Sequence, residues 1–470
     1  MTEDPSAADF DEWAEFAAQP EDTTTTQPTW LRVAVAVVVS AVVVGLILLW
    51  PGGETADRTA LSVLGVPRSF HAANVTEVVS GPCPFQAEQE CVNVTFELVE
   101  GPDADSRYIQ AFPAGGTTPD FTVGQTAILS AREPDGVVVE GRPEPCEFDT
   151  ELECRVLRVR LPDGDVIEVE VAPDNPAGNS FAGDELFLDL FDEGGEIVVF
   201  GVSTPTIEST YQFADFQRRP VLLILFLVLA AAVMAVGRRK GLLALGGLVI
   251  SGAILLLFVV QGIVAGGSPL PIGVVGASAI ALVTLYLAHG FNVESSVALL
   301  GVVGAILLTA ALSAITLAVS NVTGFSSEET SLLTLFEDIQ VTGLLLAGVV
   351  LGAAGALDDV AVTQAATVRE LRAANPSLGA GELFRRGMSV GRDHIASTIN
   401  TLFLAYAGAS LPLLVLFVLS EQSLGAVANS EVVAIEIMRT IIGSIGLVAT
   451  VPFTTWLAAR ATVSAREVSS

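Results

Sequence analysis

Long apolar runs alternate with polar segments along the chain, and this pattern predicts a membrane protein. The first run, Trp30 to Trp50, has Arg32 as its only charge and is long enough to cross a bilayer once. Tryptophan at both ends suits the two membrane interfaces. A cleaved signal peptide has a basic leader and a shorter apolar core, whereas the leader here is acidic. We therefore interpret residues 30–50 as an uncleaved transmembrane anchor.

Seven further apolar runs follow the anchor. They cover residues 220–236, 241–261, 270–288, 293–320, 341–360, 395–419 and 437–458. The sequence thus predicts an α-helical integral membrane protein with about eight transmembrane helices, seven of them in a membrane domain at 219–460.

Between the anchor and this domain, residues 51–218 have a different texture. Short alternating runs such as Val92 to Val99 are separated by Gly, Pro and Asp, which indicates β-strands and turns. An internal repeat lies within them, because one set of residues recurs 63 positions later: Cys83, Phe85, Glu88, Glu90, Cys91, Leu98 and Gly101 match Cys146, Phe148, Glu151, Glu153, Cys154, Leu161 and Gly164. We expect a β-rich domain of two related, barrel-like modules.

All four cysteines fall in these repeats, in two pairs each spaced eight apart. Cysteines confined to one segment favour disulfides on the oxidising side of a membrane. We favour the pairs Cys83 with Cys91 and Cys146 with Cys154, because each repeat is then self-contained. A four-thiolate zinc site is the alternative, although zinc-binding pairs usually lie two to four residues apart. No other metal and no cofactor is expected.

The basic residues predict the orientation. With a cytoplasmic N-terminus, the inside loops carry Arg238, Arg239 and Lys240, then Arg369 to Arg392, while the loops at 262–269, 321–340 and 420–431 carry no base. The same parity places the β-rich domain outside the cytoplasm, in agreement with the cysteines. We expect the cytoplasmic (cell) membrane as the location, with both termini, including residues 461–470, in the cytoplasm.

Composition and charge limit the classes of molecule that can be partners of this chain. The net charge is −31 with only 22 basic residues, so nucleic acid is excluded as a partner, and 51% hydrophobic residues make the lipid bilayer the principal one. Residues 1–29 hold eight acids and no base, and we expect this cytoplasmic tail to be disordered.

Ionisable residues beside the bilayer are the candidate functional residues, because burying a charge in a membrane is costly and such residues often have a function. Asp358 and Asp359 lie at the end of one predicted helix, and Asp393 and His394 lie at the start of the next. Both helix ends are predicted on the cytoplasmic side of the membrane. If the ends adjoin, they form a cluster that can bind a hard cation or relay protons. Asn400 and Tyr406 follow on the second helix. The alternative is that these charges only mark the headgroup level.

Three other features have simpler interpretations. Glu436 and Arg439 are three residues apart, as in a local helical ion pair. Gly348, Gly352 and Gly355 suit close helix packing. The segment Ala361 to His394 is either a plain basic connector or contains a short amphipathic helix on the membrane, with an apolar face of Leu378, Leu383, Phe384 and Met388.

Several motifs carry a resemblance to a known family. They are Gly355-Ala-Leu-Asp-Asp-Val-Ala-Val-Thr-Gln364, Glu382-Leu-Phe-Arg-Arg-Gly-Met388, Gly391-Arg-Asp-His394 and Asn400 to Leu414. In these the chain resembles the YibE/F-like family of prokaryotic multi-pass membrane proteins. The similarity extends from Tyr211–Arg218 to about Phe417. It implies a multi-pass protein of the cytoplasmic membrane with permease-like behaviour.

Two functions follow as hypotheses. The first is a transporter or permease of unknown substrate that uses the aspartate and histidine cluster. The second is an accessory protein whose β-rich domain binds a partner protein of the cell envelope. An intramembrane enzyme is disfavoured because the sequence has no recognisable arrangement of nucleophile and base, so we expect no catalytic residues.

Overall fold

The structure is a computed structural model that describes most of the chain. The described residues are 27–51, 69–83, 86–114, 118–132, 134, 136–146, 152–161, 164, 166–173, 175–192, 197–203, 210–324, 333, 339–419 and 423–467. The expected disorder of the acidic tail concerns residues that lie outside these ranges, except at its last three positions. The chain forms two compact units, one made of 1–56 with 230–470 and the other of 57–229.

The helical elements are α1 (Thr29–Leu48), α2 (Arg219–Val264, with a π-helical turn at Leu255–Val260), α3 (Pro269–His289), α4 (Val293–Ser320), α5 (Val341–Ala374), α6 (Ala380–Ala409), α7 (Leu411–Leu419), α8 (Leu424–Asn429) and α9 (Glu431–Glu467). Among the described residues, six helices are long and apolar enough to span a membrane, or seven if α6 and α7, bent by 63° at their junction, form one span. The prediction of a multi-pass α-helical membrane protein is confirmed.

Two predicted spans, 220–236 and 241–261, fall within α2. This helix is interrupted at Arg238, whose φ of 47° and ψ of −122° are not helical. A β-carbon on Gly241 would collide with the carbonyl oxygen of Val233, eight residues earlier. Residues that far apart are about 12 Å apart in a straight helix. The chain therefore turns sharply at the Arg238 break.

The segment from Ala361 to His394 differs from both expectations. It is neither a plain connector nor a helix lying on the membrane: α5 continues to Ala374 and α6 begins at Ala380. Leu378 and Leu383 are buried in the core of the helical unit, and Phe384 and Met388 pack against it. The segment's apolar face thus covers the other helices instead of lipid. As a result, Asp358 and Asp359 lie within α5, and Asp393 and His394 lie within α6, away from the helix ends.

The described residues of the β-rich domain form ten strands: β1 (Ser69–Cys83), β2 (Gln86–Leu98), β3 (Arg107–Pro113), β4 (Thr126–Ala131), β5 (Gly136–Pro145), β6 (Glu153–Arg160), β7 (Val166–Val171), β8 (Glu185–Asp192), β9 (Ile197–Ser203) and β10 (Tyr211–Phe216). They form two five-stranded sheets of antiparallel pairs, in the orders β10-β4-β1-β2-β3 and β7-β6-β5-β8-β9. In the first sheet, the Gln110 side chain on β3 accepts a hydrogen bond of 2.8 Å from the backbone N–H of Phe213 on β10. The sheet therefore curls until its two edges meet, as in a partly open barrel.

The two sheets, each of which contains one copy of the repeated cysteine segment, have the same topology. If β1, β2, β3, β4 and β10 are matched with β5, β6, β7, β8 and β9, the strand orders are identical. Each long hairpin has the same irregularity, between Val75 and Glu77 and again between Val138 and Glu140. Phe85, Phe148 and Glu151 of the repeat lie outside the described residues.

The predicted cysteine pairing is also present. Cys83 is bonded to Cys91 and Cys146 to Cys154, so each disulfide joins the two strands of one hairpin. Every cysteine of the chain is used in this way, which leaves no thiol for the alternative zinc site.

Candidate functional site

The centre of the helical unit is built on close packing of small residues. Helices α5 and α9 run parallel, because Gly348 faces Arg439 near one end and Gln364 contacts Thr455 further along. Helices α4 and α6 run antiparallel to them. A β-carbon on Gly301 of α4 would collide with the Thr454 hydroxyl, and one on Gly446 of α9 would collide with the Thr309 hydroxyl. Glycine lets these helices approach closely.

Polar side chains lie inside this packing. Gln364 is fully buried, and its Oε1 accepts a hydrogen bond of 2.9 Å from the Thr455 hydroxyl. Its Nε2 has no hydrogen-bond partner among the described residues, and neither do the buried hydroxyls of Thr309 and Thr454. An unpartnered buried polar group costs about 1–3 kcal/mol. These residues therefore weaken the bundle, which is typical of a functional site.

A second polar group lies where α5, α6 and α9 meet. Glu436 and Arg439 form an ion pair of 2.7 Å, and both side chains are about three-quarters buried. The Arg439 guanidinium lies 3.6 Å from the position of a β-carbon on Gly348. The hydroxyl of Tyr406 lies against Gly352, one turn along α5, and is within electrostatic range of the ion pair. We call Tyr406, Glu436 and Arg439 the charged cluster.

The charged cluster is inside the membrane-length part of the helices. Arg439 is eight residues from the start of α9, which corresponds to about 12 Å along the helix axis. The predicted local ion pair of Glu436 with Arg439 is confirmed, but the pair also packs against α5. Gly348 and Gly352 were expected to allow close helix packing. In the structure they leave space for the guanidinium of Arg439 and the hydroxyl of Tyr406.

The other predicted residues are placed as follows. The contacts of Gln364 with Gly391 and of Gly352 with Tyr406 set the antiparallel register of α5 and α6, and they put Asp358 at a depth between His394 and Asn400. Asp358 Oδ1 and His394 Nε2 are buried atoms without a hydrogen-bond partner in the described part of the chain.

The remaining predicted residues are at the surface of the helical unit. Asp359, Asp393 and Asn400 are exposed. No ion pair or hydrogen bond between described residues joins the two aspartates of α5 to Asp393 or His394. The cluster of these four residues therefore stays a prediction.

Asn400 lines a groove of about 550 Å³ between α6 and α9. Its walls are mainly apolar and include Phe403 and Ile441, and the Ser444 hydroxyl on the same wall is buried without a partner among the described residues. The groove adjoins the charged cluster on both helices, since Thr440 follows Arg439 directly and Phe403 lies one turn from Tyr406.

Sequence reasoning missed Gln364, Thr455, Thr454 and Thr309. A polar residue in an otherwise apolar run was the available signal, and for Gln364 the run had been taken to end at position 360. The proximity of Tyr406 to the Glu436 and Arg439 pair was also missed, because it depends on which helices are neighbours.

A bundle of membrane-length helices with polar and charged side chains in its interior, in a chain that also has a disulfide-bonded β-rich domain, defines a multi-pass membrane protein. The sequence profile of the YibE/F-like protein family matches residues 225–463, which is half of the chain. The chain belongs to this family. The match begins after Tyr211–Arg218 and extends past Phe417, so it covers the helices from α2 to α9 and excludes α1 and the β-rich domain. No curated protein and no solved structure matches the chain significantly.

Proposed function

We propose that this YibE/F-like protein is a transporter or permease whose pathway runs along α5, α6 and α9. The observation that carries the proposal is the charged cluster, an arginine, a glutamate and a tyrosine inside membrane-length helices. Charged side chains in such helices are expensive to insert, and in membrane proteins they mark ion and substrate pathways. The unpartnered polar atoms of Gln364 and Asp358 support a continuation of this pathway toward the C-terminal end of α5.

The pathway has a chemical preference. Asp358 and Glu436 offer carboxylate oxygens, whereas Arg439 offers fixed donors next to the Tyr406 hydroxyl. Carboxylates together with a histidine at the depth of His394 suit a cation or a proton as the coupling ion. The substrate itself is not specified by these groups.

Flux measurements on the purified chain in liposomes test this proposal. Liposomes that contain a pH-sensitive dye and liposomes that contain a potassium or magnesium indicator are compared with protein-free liposomes. We expect Glu436→Gln, Arg439→Gln, Tyr406→Phe, Asp358→Asn and Asp393→Asn to reduce flux. Glu370→Gln is the matched control, because Glu370 is an exposed glutamate near the end of α5. Flux that is equal in all variants rejects the proposed pathway.

The orientation belongs to the same proposal. Two disulfides in the β-rich domain and basic residues in alternate loops support a β-rich domain outside the cytoplasm and both termini inside it. With this orientation, the Glu436 and Arg439 pair is nearer the outer face, and Gln364 is nearer the inner face.

The accessory function remains the second candidate. Its supporting observation is that the β-rich domain has its own aromatic core, in which Phe96, Phe121 and Phe213 have ring centroids 5.0–6.1 Å apart. A domain that folds around its own core can serve as a binding module for an envelope protein. Cross-linking of the intact protein in cells, with and without Ile109→Asp on its exposed surface, distinguishes this function from transport.

A further inference from the structure

A second groove lies between α1 and α3, away from the proposed pathway. Its volume is about 800 Å³, and we call it the α1–α3 groove. The walls are apolar and are formed by Val35, Ala36, Val39, Leu282, Val283 and Leu287. This volume is in the range of small-molecule and cofactor sites, and it is large enough for a good part of a phospholipid acyl chain.

One end of the α1–α3 groove is basic. Arg32 lines it and is the only charged residue of α1. In the described part of the chain, Arg32 has no ion-pair or hydrogen-bond partner. Glu294, two residues before Ser296 on α4, forms an ion pair of 2.7 Å with Arg369. Among the described residues, the groove therefore presents a cation without an ionic partner beside an apolar channel.

The same end is lined with hydroxyl and amide groups. Gln27 Nε2 donates to the Ser296 hydroxyl at 3.0 Å, and that hydroxyl is 3.1 Å from the hydroxyl of Tyr286. Tyr286 is also stacked on Phe291 with ring centroids 4.5 Å apart. These contacts fix three polar side-chain groups at the mouth of the groove, near the start of α4. The dipole of a helix favours negative charge at its N-terminal end.

We propose that the α1–α3 groove holds one anionic phospholipid, with its phosphate at Arg32 and one acyl chain along the apolar walls. Charge complementarity selects this occupant. A free phosphate would use Arg32 but leave the apolar walls unfilled, whereas the headgroup of a zwitterionic lipid brings a cationic ammonium group that offsets the attraction of its phosphate to Arg32. Trp30 lies two residues from Arg32, and tryptophan is typical of the headgroup level at which a lipid phosphate sits. In the proposed orientation the lipid belongs to the inner leaflet.

Native mass spectrometry of the full chain in detergent tests the proposal. The protein is titrated with phosphatidylglycerol or with phosphatidylcholine of the same acyl chains, and bound lipid is counted. We expect one phosphatidylglycerol per chain and a weaker affinity for phosphatidylcholine. Arg32→Gln should lower the affinity for phosphatidylglycerol about fivefold, because one basic residue contributes about 1 kcal/mol to anionic lipid binding. Ala36→Phe keeps the charge and fills the groove, and it should reduce binding of both lipids.

The matched control is Arg239→Gln, which removes the same charge at the break of α2, outside the groove, and should leave the affinity unchanged. The proposal is overturned by equal losses for Arg32→Gln and Arg239→Gln, by unchanged binding to Ala36→Phe, or by the absence of a preference between the two lipids. Deletion of residues 2–26 tests the acidic tail as a rival occupant. If phosphatidylglycerol binds the wild type no better than the Arg32→Gln variant and binds only after this deletion, the tail is the occupant and the lipid site is rejected.

Discussion

The hydroxyl of Tyr406 lies 2.7 Å from the point that a β-carbon on Gly352 would occupy. This relationship links α6 to α5 in the helical unit, and the glycine at position 352 leaves open the space next to the hydroxyl. A larger residue would push the hydroxyl away from α5 and from the Glu436 and Arg439 pair. The geometry of the charged cluster therefore depends on the absence of one side chain.

We predict that Gly352→Ala displaces Tyr406 and lowers both thermal stability and flux. Alanine in a helix normally stabilises by about 0.5–1 kcal/mol relative to glycine, so a loss here reports the clash. Gly355→Ala is the matched control, because nothing lies within 4 Å of its β-carbon position. The double variant Gly352→Ala with Tyr406→Phe should recover stability without recovering flux. Equal melting temperatures for the two alanine variants would show that Tyr406 does not occupy this position.

The sequence predicted the membrane helices well but not their full lengths. Hydropathy detects the bilayer-crossing part of a helix, and α4 was predicted at its observed bounds because its apolar run and its helix coincide. In α5 the apolar run stops near Asp358, while buried Val360, Ala365 and Val368 continue the helix against its neighbours. Tertiary packing extends the helix there, and an apolar run does not record it.

The candidate site was predicted in part for a related reason. Tyr406 and Asp358 stand out in sequence as polar residues near the bilayer. Gln364 joins Thr455 across 91 positions of sequence, and only the parallel register of α5 and α9 brings them together. The disulfides were predictable because the repeat makes each pair local, with a separation of eight residues.

The buried amide of Gln364 should be more important for function than for stability. Leucine has a similar volume and removes the unpartnered Nε2 group, while Thr455 keeps its second hydrogen bond, of 2.6 Å, to the carbonyl of Val451. We predict that Gln364→Leu leaves the melting temperature unchanged or raises it, and that it lowers flux. Thermal unfolding and liposome flux measured on the same preparation check both parts. A variant with lower stability and normal flux would assign the amide a structural role.

Tyr211 should make the β-rich domain sensitive to alkaline pH. Burial, followed by the hydrogen bond of 2.8 Å to Asp103 and the charge of that carboxylate, raises the pKa of Tyr211 to about 12. In the unfolded chain the tyrosine ionises near pH 10, whereas in the folded chain it keeps its proton. The contribution of Tyr211 to the free energy of unfolding is therefore fully present below pH 10, and it is lost as the pH rises from about 10 to 12.

Absorbance titration and thermal unfolding from pH 9 to 12 check this prediction. Tyr211→Phe should abolish this share of the pH dependence. Asp103→Asn keeps an acceptor but removes the charge, so it should lower the pKa of Tyr211 toward 10. The prediction fails if the wild type and Tyr211→Phe lose stability in parallel.

Each disulfide should stabilise its own hairpin. Closing a loop of this length contributes about 2.5 kcal/mol through the entropy of the unfolded chain. We predict that replacing Cys83 and Cys91 with serine, or Cys146 and Cys154 with serine, destabilises the β-rich domain by similar amounts. Denaturant unfolding followed by domain fluorescence measures the loss. Intact mass with and without reductant should differ by four hydrogens in the wild type and by two in each variant, and four free thiols in the unreduced protein would contradict the pairing.

The proposed orientation can be tested with single cysteines, because all four native cysteines are bonded and give no background labelling. Gly379, in the turn between α5 and α6, and Gly425, in α8, are exposed and have nothing within 4 Å of a β-carbon position. With a cytoplasmic N-terminus, these positions lie on opposite sides of the membrane. We predict that a membrane-impermeant maleimide applied to intact cells labels Gly425→Cys and not Gly379→Cys, and that inside-out vesicles give the reverse. Labelling of Gly379→Cys in intact cells would invert the orientation, place the disulfides in the cytoplasm and put the charged cluster nearer the inner face.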